Sequence, residues 1–102
     1  MLNKTKSCPI GATLKLISGK WKAVIIHLLG QEGTCRFSQL DHQLPCSRRM
    51  LALQLSALQR DGLVSKHVYP VEPPKTDYSL TAKGKSILPV VEEMQDWGSQ
   101  NN

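Results

Sequence analysis

The sequence predicts an α+β fold that is mainly α, and three observations predict it. Apolar residues recur at helical spacing in five separate stretches. The third and fourth are joined by only a tight turn, Pro45-Cys46, ahead of a serine suited to capping a helix. Two extended runs around a proline-rich loop then follow the fourth stretch directly, the pattern of a β-hairpin. Together they describe a winged helix-turn-helix with an extra helix at each end. The chain has 102 residues, so one domain spanning 1–102 is expected.

Residues 1–8 are polar and are expected to form a flexible arm carrying Lys4 and Lys6. Pro9 suits the first turn of a short helix. Ile10, Leu14 and Ile17 repeat on one face of it, and Gly19 closes it. The second helix is expected over about 20–30, where Trp21, Val24, Ile25, Leu28 and Leu29 make the stripe of a core helix. Residues 31–33 read as a turn and 34–36 as a short edge strand. Ser38 and Asp41 have the spacing of a capping box, with Phe37 as its staple. Phe37, Leu40 and Leu44 mark the buried side of the third helix, which Pro45 stops.

The fourth helix organises the rest. Ser47 is its N-cap, Leu51, Leu55 and Leu58 its buried face, and Gly62 its left-handed end. Arg48 and Arg49 stand at its start, where the backbone dipole already places positive partial charge. Two arginines there add to that charge, an arrangement suited to an arriving polyanion. The hairpin is expected from runs 63–69 and 76–80, with a stiff loop at 70–74 and Lys75 near its tip. Thr81 caps the last helix, 81–100. Its apolar residues Ile87, Val90, Val91, Met94 and Trp97 form a broad face for which a small winged-helix core has no use. A second copy of the chain is the expected cover, with Ile10, Leu14 and Ile17 contributing. Pro89 is expected to kink this helix or delay its start.

Formal net charge is +5, unevenly spread. Residues 1–85 hold all 13 lysines and arginines with five acidic residues, a formal +8, whereas 86–102 carry only Glu92, Glu93 and Asp96. A basic body with an acidic last helix suits nucleic acid on one side and a partner on the other. No apolar run reaches transmembrane length and no signal peptide is evident, so a cytoplasmic protein is expected. Cys8, Cys35 and Cys46 then read as thiols. Cys35, His42 and Cys46 lack the paired spacing of a metal site, and no metal or cofactor is expected. There is no glycine-rich phosphate loop or nucleophile elbow, so no enzyme is expected either.

The segments CPIGATLKLISGKWK, FSQL, MLALQLSALQRDGLV, YPVEPPKTDYSLTAKG and DWG resemble the HxlR-type winged helix-turn-helix regulators of bacteria. The resemblance runs from Cys8 to Gly98 in separated blocks that occur in order. It implies a homodimeric, DNA-binding transcriptional regulator whose first and last helices form the dimer interface. Several such regulators respond to electrophiles or oxidants through a cysteine near the N-terminus, and Cys8 falls on that position. This chain departs from the pattern at Pro45-Cys46-Ser47, one residue shorter than usual, at Leu53, where a polar residue is common, and at Arg48, where a shorter one is.

The expected DNA-binding residues are Arg36, Ser38, Ser47, Arg48, Arg49, Ala52, Leu53, Lys66 and Lys75. An arginine of this set either pairs with guanine or holds a phosphate, and the sequence leaves both open. Cys8, at a helix start near Lys4 and Lys6, is the expected redox-sensing thiol. Cys46 precedes a helix start with two arginines and is a second candidate, whereas Cys35 reads as inert. The expected partners are double-stranded DNA and a second copy, with no membrane. Two alternatives stay open: a protein–protein adaptor that keeps the fold, and a regulator switched by a small molecule rather than by a thiol.

Overall fold

The computed structural model describes residues 8–102. The order is α1 (Pro9–Ile17), α2 (Lys22–Glu32), β1 (Thr34–Arg36), α3 (Phe37–Gln43), α4 (Arg48–Arg60), β2 (Val64–Tyr69), β3 (Lys75–Leu80) and α5 (Ala82–Asn101). The strands form one antiparallel sheet in the order β1-β3-β2. This is the winged helix-turn-helix with added terminal helices. Lys4, Lys6 and the rest of the expected arm except Cys8 lie outside the described residues.

The core is built where the apolar spacing predicts it in α4. Leu51, Leu55 and Leu58 are buried, and they meet Ile25, Ile26 and Leu29 of α2 and Leu40 and Leu44 around α3. Ser47 caps α4, its hydroxyl accepting from the Met50 N–H at 3.0 Å. Gly62, at φ 78°, ends the α4 turn in the left-handed region that a side chain would strain. The hairpin register runs from Val64 opposite Leu80 to Tyr69 opposite Lys75. Val64, Leu80 and Tyr78 are buried, so alternation puts their neighbours Ser65, His67, Tyr69 and Asp77 on the outer face. Among the described residues no helix is long and apolar enough to cross a membrane.

Several expectations are corrected. The second helix continues through Gln31 and Glu32, both good helix formers, until Gly33 at φ 83° stops it, so 31–33 is not a turn. Its buried face is Ile25, Ile26 and Leu29, while Val24 is 39% exposed. Apolar residues surround this helix on most sides, so spacing alone does not single out one stripe. Ser38 is not a cap. β1 ends on Arg36 and α3 begins on Phe37 with no linker, so the cap position falls on Arg36, whose N–H donates to Gln39 Oε1 at 2.8 Å.

Helix α5 is also more than an outlying face. Ile87 and Val91 are buried within the chain, as is Ile17 of α1, so these three pack in its core. The reason is that α5 packs along α2, where His27 Nδ1–H donates to both Glu92 carboxylate oxygens, at 2.9 and 3.0 Å. Pro89 lies inside α5 and does not delay its start, which Thr81 fixes by accepting from the Gly84 N–H at 3.0 Å. Cys35 lies in the edge strand β1, as expected for 34–36, and is buried.

Candidate nucleic-acid interface

With Leu51, Leu55 and Leu58 turned inward, the opposite side of α4 is left to solvent. Arg48, Arg49, Ala52 and Leu53 are all exposed, Leu53 by 56%. The same exposed row continues to Ser56 and Arg60, which lie seven and eleven positions after Arg49. Ser56 and Arg60 are absent from the expected set, although that helical spacing was there to be read. At the N-terminus of α4, unpaired backbone N–H groups, the Ser47 cap and two arginines converge.

The two arginines differ in their surroundings. Arg48 Nε lies 3.9 Å from Asp41 Oδ2, and its guanidinium sits 5.4 Å from the centre of the Phe37 ring. Asp41 thus faces the next helix instead of capping its own. Arg49 has no acidic group within 4.0 Å among the described residues. Arg36 is tied to the hairpin, its Nε 3.8 Å from Asp77 Oδ1. The Asp77 carboxylate also lies beside Tyr69 and, as hydrogen-bond acceptor and as negative charge, pushes that phenol's pKa up. Ser38 is exposed in the first turn of α3.

Lys66 and Lys75 are both exposed on the hairpin, but on opposite faces. Lys66 shares the side of Val64 and Tyr78, and Lys75 that of Tyr69 and Asp77. The structure therefore joins Arg48 to α3 and Arg36 to the wing, and separates the two lysines.

The geometry is that of a helix-turn-helix reader with a wing beside it. A model of the HxlR-like helix-turn-helix family matches residues 16–102. The chain belongs to that family. HxlR-like proteins are transcriptional regulators rather than enzymes. The HTH-type transcriptional regulator BH0655 of Halalkalibacterium halodurans is 47% identical over 94 residues, covering 91% of this chain and 83% of that protein. YdeP of Bacillus subtilis, also an HTH-type transcriptional regulator, is 42% identical, covering 93% and 74%. Among solved structures, the redox regulator HypR in its reduced form superposes with a TM-score of 0.88 at 40% identity, covering 92% of this chain and 93% of that one. Reduced YodB from B. subtilis gives 0.76 at 35% identity, covering 94% and 95%.

This HxlR-like chain leaves a second, apolar surface open. Ile10 and Leu14 on α1 are 71% and 53% exposed, and Val90, Met94 and Trp97 on α5 are 45%, 48% and 69% exposed. Cys8 is the N-cap residue of α1 and is half-buried, its carbonyl accepting from the Ala12 N–H at 2.8 Å. Cys46 is half-buried against the core. Burial pushes the Cys35 thiol pKa up, helped by Glu32 and Asp77.

Proposed function

We propose that this chain binds double-stranded DNA as a homodimer at a pseudo-palindromic operator and so regulates transcription. The observation that carries the reading is α4, buried on one face and presenting Ser47, Arg48, Arg49, Ala52 and Leu53 to solvent on the other. Arg36, Ser38, Lys66 and Lys75 supply backbone contacts around it. Dimerisation is supported by the exposed Ile10, Leu14, Val90, Met94 and Trp97, which reach water at high cost in a lone chain. In the dimer the two α4 helices enter successive major grooves about 34–36 Å apart.

Cys8 is the proposed switch. It stands at the start of the helix that carries Ile10 and Leu14, so modification of its thiol alters how α1 meets the other copy and hence the spacing of the readers. HypR, a neighbour at 40% identity named as a redox regulator and solved in reduced and oxidised forms, supports this reading.

The test is fluorescence-anisotropy binding to duplex DNA from the gene's own upstream region, before and after a mild thiol oxidant. Tight, salt-sensitive binding that changes on oxidation in the wild type and not in Cys8→Ser is expected. A Cys8→Ser protein with full oxidant response would sink the switch. Binding indifferent to oxidant points to a small-molecule effector, and affinity that ignores both salt and Arg49→Ala points to the adaptor.

A further inference from the structure

We propose that Arg48 reads a guanine, that Asp41 and Phe37 position it to do so, and that Arg49 beside it holds phosphate. The proposal rests on the DNA-binding reading and assigns separate tasks within it.

Two adjacent arginines share one helix cap, yet only Arg48 is held. Asp41 Oδ2 lies 3.9 Å from its Nε, and the Phe37 ring centre lies 5.4 Å from its guanidinium, within cation–π reach. The Arg48 side chain nevertheless stays 75% exposed. Asp41 occupies the Nε side, so the two Nη groups remain for a ligand. That pair of donors is the fork that matches guanine O6 and N7. A base edge demands a fixed plane, whereas a phosphate accepts a charge from many directions.

The position of Asp41 has no explanation within its own helix. It lies in the second half of α3, whose dipole disfavours a carboxylate there. At 3.9 Å and largely in water, the pair with Arg48 adds little to stability. What the contact does is orient. It also offsets the charge of Arg48, so this arginine contributes less than Arg49 to the release of counterions from DNA.

The test uses the full chain, a pool of random-sequence duplexes to enrich the preferred site, and anisotropy on that site and its single-base-pair variants over a range of salt. Arg48→Ala and Arg48→Lys are expected to lose preference for one G·C pair per half-site by about 5- to 150-fold. Asp41→Asn loses preference at that same pair and adds nothing in an Arg48→Ala background. Phe37→Leu, which keeps apolar bulk in the fold, loses it too. Arg49→Ala instead weakens all sequences alike and reduces the log–log salt slope by about one.

Asp41→Asn with intact base preference overturns the positioning role, and Arg48→Lys that reads like the wild type overturns base reading by Arg48. If the wild type enriches a site and none of these variants alters its readout, the assignment fails and the DNA reading stands. A wild type that enriches no duplex overturns both.

Discussion

Ser47 ties the stability of the fold to the candidate interface through one hydroxyl, which accepts from the Met50 N–H. Ser47→Ala should cost about 1 kcal/mol of unfolding free energy, read from urea midpoints. It should also weaken DNA binding at low salt, because the cap fixes where Arg48 and Arg49 begin. Cys35 gives a pH prediction. Its thiol is raised above the ordinary 9.0, so the folded state keeps a proton that the unfolded chain has begun to release. Stability is therefore full below about pH 9 and falls as pH rises through the raised value. Tyr78, raised by burial from 10.0, extends the loss. Urea midpoints at successive alkaline pH values should show this, and Cys35→Ala should remove the earliest part. Native-state alkylation should modify Cys8 and Cys46 and reach Cys35 only after denaturation. At this scale the sequence was legible where one neighbour along the chain decides the role, as for Ser47. It was not legible for Asp41 or Asp77, whose partners Arg48 and Arg36 are brought up by a turn and by a sheet register.

Helix α5 shows how one element serves two surroundings. Gly84 lies under the Leu63 carbonyl, and a Cβ there would run into that backbone oxygen. Gly98, on the same helix, has nothing within 4 Å of the Cβ it lacks. Gly84→Ala should therefore destabilise the protein strongly, whereas Gly98→Ala should leave it unchanged or raise stability by about 0.5–1 kcal/mol. Thermal unfolding of the two variants gives the comparison, and equal effects would contradict the packing described. The sequence located this helix and its Thr81 cap but merged two apolar faces into one. Ile87 and Val91 meet the core, and Val90, Met94 and Trp97 do not. Periodicity reports that a face is apolar, not which neighbour covers it. Deciding that needed the packing of α2 against α5 and the His27–Glu92 contact across 65 positions of sequence.

The whole molecule combines a basic reading side with an apolar side, and the two should separate by mutation. Trp97→Arg with Met94→Arg should give a folded monomer by light scattering, with much weaker operator binding and unchanged circular dichroism per residue. A dimer that survives both charges would remove α5 from the interface. The wing and helix-turn-helix order was legible because turn chemistry and apolar spacing agree along the chain, while the separation of Lys66 from Lys75 required the strand register. Two junctions of the fold are short. Arg36 ends β1 and Phe37 begins α3, and only Thr81 separates β3 from α5. The chain measures 55 Å in its longest dimension. A tilt of about 5° over that length displaces the far end by about 5 Å, close to the 5.4 Å of one helical turn. In the proposed dimer, such leverage would turn a small change where the two copies meet into a mismatch between the two α4 helices and the groove.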